Sequence, residues 1–223
     1  MLFDTHAHMN DPAFDNEREE ILLGLKDKGV EYMMNIGCCL ESSKDCVAMA
    51  EKYPFVYATV GSHPDSADEV DDKVLEAYRQ MAKHPKVKAI GEIGLDYYYE
   101  TIPRQIQQNA FRMQMELARE LKLPVVIHER NAHDDGMRIV KEFKDVTGVF
   151  HCYSGSAEMA RQLVDMGYYI GFTGVLTFKN ARKAVETAER IPLDRIVLET
   201  DCPFMAPEPF RGKRNDPGYL YRM

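Results

Sequence analysis

Short apolar runs alternate with longer amphipathic stretches from one end of the chain to the other. A short apolar run is typical of a buried strand, and a longer stretch with one apolar side is typical of a helix. The predicted strands cover residues 2–8, 32–38, 56–63, 88–96, 124–129, 148–153, 168–174 and 195–201. The predicted helices between them cover residues 15–28, 41–53, 69–83, 103–121, 134–144, 156–166 and 179–190.

Strict alternation of strands and helices predicts a parallel α/β architecture. Eight strands favour a TIM-type (β/α) barrel over an open sheet. No linker or repeat interrupts the pattern, so residues 1–223 are expected to form a single barrel domain. Only 22 residues follow the eighth predicted strand, and within them Asp216-Pro217 resembles a helix start. The C-terminal helix of the barrel is therefore expected to be missing or truncated.

Composition narrows the functional classes. Hydrophobic residues make up 45% of the chain, which supports a full core, and charged residues make up 29%, which argues against disorder. The formal net charge is −8, so a diffuse basic surface for nucleic acid is excluded. A polyanionic substrate would need local attraction, from bound metal ions or from a few placed Arg and Lys side chains.

Cysteine usage favours a reducing compartment. The chain has five cysteines, an odd number without a C-x-x-C pair, and we expect them to be buried free thiols. The N-terminus carries polar residues where a signal peptide would need an apolar segment. No apolar run approaches the length of a bilayer span. We therefore expect a cytoplasmic protein without membrane association.

The strongest local signal is His6-Ala7-His8. Alternate residues of a strand face the same way, so Asp4, His6 and His8 share one face and the two imidazoles can grip one ion. Such a pair alone is weak, but four other strands also end in a possible ligand. Those residues are Glu92, His128, His151 and Asp201. A strand cap or a buried histidine could explain any one of them, but hardly all at the same end of the barrel, where catalysis takes place.

Four histidines and two carboxylates exceed what one ion with an open position needs. A two-metal site, with ions about 3.5–4 Å apart, uses all six. Glu92 is the expected bridging ligand because a carboxylate has two oxygens. Asp201 could bind metal and also accept a proton from water. Glu92 and Asp201 are thus the candidate catalytic residues, and the expected cofactors are two divalent ions, Mg, Mn or Zn.

Several motifs in order resemble the TatD family of metal-dependent deoxyribonucleases, within the amidohydrolase superfamily. The motifs are Phe3-Asp4-Thr5-His6-Ala7-His8, Gly61-Ser62-His63-Pro64, Gly91-Glu92-Ile93-Gly94-Leu95-Asp96-Tyr97, His151-Cys152-Tyr153-Ser154-Gly155 and Glu199-Thr200-Asp201. The resemblance implies a TIM-like barrel, a divalent metal site and hydrolysis of DNA phosphodiester bonds. By motif position it assigns metal ligation to the same six residues: His6, His8, Glu92, His128, His151 and Asp201. The chain departs from the family in its shorter tail after Pro217.

Other residues near the strand ends are candidates for substrate binding. His63 could contact a scissile phosphate, or be an ordinary strand-end residue. Arg130 could clamp a phosphate bidentately, or form a surface salt bridge. The run Tyr97-Tyr98-Tyr99 could stack on bases or pack the loop, and we favour packing. Arg211, Lys213 and Arg214 could guide a nucleic acid backbone, or be a solvated run. Asp4 and Asp96 could orient the imidazoles, whereas alternation predicts Cys152 and Cys202 to face helices.

The sequence leaves three functions in competition. The leading hypothesis is a metal-dependent deoxyribonuclease, an exonuclease that acts on single-stranded DNA or on 3′ ends and has no obligate protein partner. The first alternative is an amidohydrolase-type enzyme that cleaves a small C–N or ester bond. The second is an inactive barrel that only binds metal. Arg130, the basic run and the tyrosines favour the phosphodiester substrate.

Overall fold

The computed structural model describes residues 1–99 and 101–223, and its centre is an eight-stranded parallel sheet. The strands pair in chain order, each with the next. This arrangement confirms the predicted TIM-type barrel. The strands are β1 (Leu2–Ala7), β2 (Val30–Asn35), β3 (Val56–Val60), β4 (Val87–Asp96), β5 (Val125–Arg130), β6 (Gly148–Phe150), β7 (Tyr169–Phe172) and β8 (Ile196–Leu198).

Helices cross over between consecutive strands and cover the outside of the barrel. Each predicted helix corresponds to an observed one, although the first is short and continues as a 3-10 turn. The helices are α1 (Arg18–Gly24), α2 (Leu40–Lys52), α3 (Asp72–Met81), α4 (Arg104–Leu121), α5 (His133–Glu142), α6 (Ala157–Asp165) and α7 (Arg182–Arg190). Every helix among residues 1–99 and 101–223 is either too short or too polar to span a bilayer.

The barrel closes at a seam between β1 and the residues that follow β8. The Asp201 N–H donates to the carbonyl of His6 at 2.8 Å, and the His8 N–H donates to the carbonyl of Cys202 at 2.9 Å. Ala7 and Cys202 form a parallel bridge between these two hydrogen bonds. The seam thus lies at the carboxyl ends of the strands, where the candidate ligands are.

The chain after β8 ends in a short 3-10 helix, Pro217–Arg222, rather than in an α-helix. The predicted start is correct, because the Asp216 side chain accepts a hydrogen bond from the Gly218 N–H at 2.7 Å. Leu220 is buried where this segment contacts β1 and β2. No α-helix follows β8 among residues 1–99 and 101–223, as the sequence predicts. The three residues of β8 are only half-buried.

Six of the eight strands end before the predicted residue. β6 ends at Phe150 and β8 at Leu198, so His151 and Asp201 lie just beyond their strands. Cys152 and Asp201 adopt positive φ angles of 41° and 55°. Such conformations are rare for residues other than glycine and concentrate at functional sites. The alternation of side-chain directions expected in a regular strand therefore fails where the chain leaves β6 and β8.

All five cysteines are free thiols, but they are not all buried. Cys46 and Cys202 are buried, whereas Cys38, Cys39 and Cys152 are half-buried. The prediction that Cys152 faces away from the site was wrong. The turn after β6 directs it into the catalytic mouth, where it lines a cavity.

Candidate metal centre

Six side chains from five strand ends meet at the carboxyl end of the barrel. His6 lies within β1, Glu92 within β4 and His128 within β5. His8 and His151 directly follow β1 and β6, and Asp201 lies three residues after the end of β8. The six are buried or nearly so, with His128 the most exposed at 18% of its side chain. They are the six residues that the sequence analysis predicts as metal ligands: His6, His8, Glu92, His128, His151 and Asp201.

Glu92 lies between two pairs of imidazoles. Its Oε1 is 2.6 Å from His151 Nε2 and 3.0 Å from His128 Nδ1. Its Oε2 is 3.4 Å from His6 Nε2 and 3.8 Å from His8 Nε2. Each carboxylate oxygen therefore faces a different pair of nitrogen donors.

Asp201 completes one side of this arrangement. Its Oδ1 lies 3.3 Å from His8 Nε2 and 3.7 Å from His6 Nε2. The Nε2 atoms of His6 and His8 are 3.1 Å apart. Nitrogens that are each about 2.0–2.1 Å from one ion lie at such separations. The H-x-H strand and Asp201 thus form one concave group of donors.

The donor atoms fit a divalent cation. Potential ligand atoms lie within 4.8 Å of one another in the group His6, His8 and Glu92 and in the group His63, Glu92 and His128. The Nδ1 atoms of His6 and His151 are buried without a hydrogen-bond partner in the described structure. Imidazole and carboxylate donors together suit Zn, Mn and related ions.

The two carboxylates that face the imidazoles are ionised when the site holds no cation. Burial alone raises the pKa of Glu92, but the charges of His151 and His6 and the hydrogen bonds from the histidines hold it well below its usual value. Burial likewise opposes the ionisation of Asp201, but a hydrogen bond from His8 and the nearby imidazoles lower its pKa. Burial lowers the pKa of His6 to about 4. Ionised carboxylates beside a neutral imidazole are the states in which these groups bind metal.

Three further acids surround the centre. Asp96 Oδ2 lies 3.1 Å from His128 Nε2, and Glu199 Oε1 lies 3.7 Å from His151 Nδ1. Asp4 takes a different role from the one suggested by the sequence. Its carboxylate accepts hydrogen bonds from Thr200 N at 2.9 Å and from the His6 backbone N at 3.3 Å, and it forms no hydrogen bond with an imidazole ring of the described residues. Asp96 therefore orients a ring, whereas Asp4 fastens the backbone across the seam.

Cys38 is a member of the site that the sequence analysis missed. Its Sγ lies 3.6 Å from His8 Nδ1 and 3.6 Å from Glu92 Oε2. The ring nitrogen opposite a metal-facing nitrogen commonly has a hydrogen-bond partner that fixes the ring. The signal was available, because Cys38 ends the second predicted strand just as the ligands end theirs.

Two buried glutamines of α4 brace the loops that carry the site. Gln107 accepts a hydrogen bond from Asp96 N at 2.8 Å and donates to the Asp96 carbonyl at 3.0 Å. Gln114 binds both backbone groups of Ser62 in the same way. Residues 107 and 114 are seven positions apart, so they lie on one face of the helix. Glutamines on an otherwise apolar face were the available signal.

The two candidate substrate-binding residues lie at the rim of the centre. The His63 ring is 4.4 Å from the His128 ring, centre to centre, and His63 Nδ1 accepts from Asp65 N at 3.1 Å. The Arg130 guanidinium lies 3.8 Å above the Tyr98 ring and 5.0 Å from the Tyr99 ring. Among the described residues Arg130 forms no ion pair, which leaves its N–H groups available to an anion.

The tyrosine run is divided between packing and exposure. Tyr97 is buried and donates a hydrogen bond to Asp135 Oδ2 at 2.8 Å, as the packing hypothesis expects. Tyr98 and Tyr99 are 56% and 62% exposed. The two exposed rings flank the mouth beside Arg130.

The basic run is also divided. Arg214 donates to the Ala13 carbonyl at 2.7 Å and pairs with Glu17, so it anchors the loop to the start of α1. The Arg211 guanidinium lies 4.3 Å from the Phe178 ring. Lys213 is exposed. At least one of the three charges is therefore structural.

An eight-stranded barrel with this donor set defines a metal-dependent hydrolase. The chain matches the family model described as "TatD related DNase" over residues 3–223, and it belongs to the TatD family. It is 44% identical over 222 residues to an uncharacterized metal-dependent hydrolase, YabD, of Bacillus subtilis, an alignment that covers 99% of this chain and 87% of the relative. It is 33% identical over 228 residues to a 3′-5′ ssDNA/RNA exonuclease TatD of Klebsiella pneumoniae, covering 98% and 86%.

Solved structures agree with the family assignment. The crystal structure of YjjV, a TatD homologue of Escherichia coli K12, matches with a TM-score of 0.93 at 33% identity and covers 99% of this chain and 86% of that one. A TatD family hydrolase of Entamoeba histolytica shares the fold with a TM-score of 0.85 at 23% identity, covering 99% and 88%. The resemblance read from the motifs is thereby confirmed, and so is the activity class of a metal-dependent hydrolase.

Proposed function

We propose that this protein is an exonuclease that hydrolyses DNA phosphodiester bonds with two divalent ions. The observation that carries the proposal is the position of Glu92, whose two oxygens face separate pairs of imidazoles. A bridging carboxylate of this kind is what a two-metal site requires.

The ligands divide into two groups around Glu92. His6, His8 and Asp201 would hold one ion, and His128 and His151 would hold the other. When bound, divalent ions polarise a phosphoryl oxygen and lower the pKa of water. Glu92 and Asp201 are ionised at neutral pH and supply negative charge to hold two cations.

Asp201 is the proposed proton acceptor. Its side chain is 10% exposed and reaches the mouth of the site, whereas the Glu92 side chain is 3% exposed and lies below it. A carboxylate that lies at the solvent side of the centre can take the proton of the attacking water as the phosphorus–oxygen bond forms. His8, at 3.3 Å from Asp201 Oδ1, orients this carboxylate.

The substrate assignment rests on the groups at the rim. Arg130 presents a guanidinium without an ion pair among the described residues, and a guanidinium matches a phosphate bidentately. Exposed Tyr98 and Tyr99 beside it offer stacking surfaces for unpaired bases. His63, whose ring centre lies 4.4 Å from that of His128, would contact the scissile phosphate. The name of the Klebsiella pneumoniae relative supports a nucleic acid with an unpaired 3′ end as the substrate.

A second function has one observation in its favour. A cavity of about 340 Å³ with mainly apolar side chains adjoins the centre, and it could hold the acyl part of a small ester or amide. Such an enzyme would need neither Arg130 nor the exposed tyrosines.

Digestion of end-labelled single-stranded and double-stranded DNA, with Mg, Mn and Zn added separately, tests the proposal. We expect stepwise shortening of single strands that requires an added ion and stops with chelator. Hydrolysis of small esters or amides without any cleavage of DNA would overturn it, and Asp201→Asn should abolish whichever activity is genuine.

A further inference from the structure

A cavity opens directly beside the metal centre, between β5–β8 and the start of α7. It holds about 340 Å³, at the lower end of the roughly 300–1,000 Å³ range of small-molecule sites. Its floor includes His128, His151 and Asp201. A group bound in the cavity is therefore the direct neighbour of the bond that the centre cleaves.

The walls of the cavity are apolar. Phe172 at the end of β7, Val175 and Leu176 of the 3-10 helix Gly174–Thr177, and Met205 of the loop after β8 all line it. Phe172 is 2% exposed, so its ring is fixed by packing. Apolar walls favour a flat, weakly hydrated group over a phosphate or a sugar.

Polar groups lie at the rim rather than at the walls. Asn180 and Lys183 line the entrance near the first turn of α7, and Arg130 lines it from β5. The exposed Asn180 side chain makes no hydrogen bond within the described structure, so both its donor and its acceptor remain available. An amide can pair with the edge of a nucleobase, and cationic side chains can contact the adjoining phosphates.

From this arrangement we infer that the cavity is a subsite for one nucleobase, the terminal base of a nucleic acid strand. The base leaves its stack and enters between Phe172, Leu176 and Met205, so that its flanking phosphodiester lies over the metal ligands. A base that is paired in a duplex cannot enter, and an unpaired end is therefore required. The inference rests on the proposed phosphodiesterase function and adds to it the reason for cleavage at ends.

Two neighbouring residues of α7 give a matched pair of variants. Ala184 lines the cavity, so Ala184→Trp should fill it, whereas Val185 is 39% exposed and does not line it. Thermal unfolding of Ala184→Trp and Val185→Trp identifies any loss of fold. Leu176→Trp fills the cavity from another element, and it replaces Ala184→Trp if that variant does not fold.

The decisive experiment combines cavity filling with removal of the terminal base. Single-stranded DNA with a normal terminal nucleotide is compared with DNA whose terminal residue is a tetrahydrofuran abasic analogue, with wild-type and variant proteins in the presence of Mn. We expect each change alone to lower kcat/KM by about tenfold or more, and the two together to lower it no further. Val185→Trp should discriminate between the two substrates as the wild type does.

Additive losses, or no effect of Ala184→Trp on normal DNA, would overturn the inference. Hydrolysis of methyl p-nitrophenyl phosphate, a phosphodiester without a base, tests the proposed function separately from the base subsite. If the wild type hydrolyses both DNA and methyl p-nitrophenyl phosphate, and Ala184→Trp loses activity on both equally, the base subsite is excluded. The proposed phosphodiester hydrolysis is then unaffected. A wild type that cleaves no phosphodiester at all overturns the proposed function, and the base subsite with it.

Discussion

Gln114 holds the backbone of Ser62 with both ends of its side-chain amide. Its Oε1 accepts from the Ser62 N–H at 2.7 Å, and its Nε2 donates to the Ser62 carbonyl at 3.0 Å. Both residues are at most 2% exposed. Because Ser62 precedes His63, helix α4 fixes the position of the loop that brings His63 to the metal centre.

Gln114→Leu should destabilise the protein, since it leaves two buried backbone groups of Ser62 without partners. Each unsatisfied group costs about 1–3 kcal/mol of unfolding free energy. Urea denaturation measures the loss, with Gln105→Leu on the exposed side of the same helix as the control. An unchanged denaturation midpoint for Gln114→Leu would show that this brace carries no stability.

Glu92→Gln should remove both metal binding and turnover. The substitution keeps the size of the side chain but removes the negative charge that faces four imidazoles. We expect the rate of hydrolysis to fall by about two orders of magnitude or more. Removing the hydrogen-bond partner of a ligand already costs about 10–100-fold, and removing the charge of a ligand should cost more. Atomic absorption after dialysis measures bound metal, and Glu116→Gln, exposed on α4, is the control. Retention of metal and activity by Glu92→Gln would contradict the two-metal proposal.

Cys38→Val should weaken metal binding without removing a ligand. The change takes away the sulfur that contacts His8 Nδ1, and the loss of such outer-shell contacts lowers metal affinity by about 10–100-fold. Competition with a chelating dye measures the affinity. Cys38→Ser keeps a hydrogen-bonding group and should recover most of it. Wild-type affinity in Cys38→Val would mean that the sulfur merely fills space.

Arg130→Gln should impair the use of DNA more than the chemistry of the centre. Loss of hydrogen bonds to a charged phosphate, worth about 1.5–3 kcal/mol, corresponds to roughly a 10–150-fold drop in kcat/KM. Arg130→Lys should recover only part, because an ammonium lacks the planar fork. Arg161→Gln, exposed on α6, controls for general loss of charge. If Arg130→Gln digests single-stranded DNA normally, the residue does not clamp phosphate.

His63 should make an unfavourable contribution to the stability of the metal-free protein as the pH falls from about 6.5 toward 4. Burial, with the neighbouring charge of His128, lowers the pKa of His63 to about 4. Between these values the unfolded chain binds a proton at His63 and the folded chain does not, so protonation favours unfolding. Urea denaturation at pH 7 and pH 5 measures the free energy of unfolding. Between these pH values it should decrease less in His63→Gln than in the wild type. Equal decreases in the two proteins would place the acid sensitivity elsewhere.

The sequence predicts the barrel and the convergence of six side chains because strand order alone brings strand ends together. It predicts directions less well. Alternation correctly brings the rings of His6 and His8 together, but it fails at Cys152, where a positive φ of 41° turns the chain. Periodicity describes regular backbone only, so it says nothing of the turn that follows a strand.

Contacts between side chains that are distant in the sequence could not be predicted either. Cys38, in the segment after β2, contacts His8 and Glu92, and Gln114 contacts Ser62, which lies 52 positions away in the chain. Such contacts depend on the spacing and twist of the elements, to which hydrophobic periodicity is insensitive. The cavity beside α7 also depends on how several elements pack together, so the sequence does not predict it.

The seam between β1 and the segment after β8 gives the metal centre a part in folding. Asp201 N binds the carbonyl of His6, and His8 N binds the carbonyl of Cys202. The first and the last ligands along the chain thus become neighbours only when the two edges of the sheet join. An open sheet would present incomplete sets of donors, so a cation held by these residues would bind the closed barrel more tightly than any open form. By thermodynamic linkage, a bound ion would stabilise the closed barrel relative to open forms.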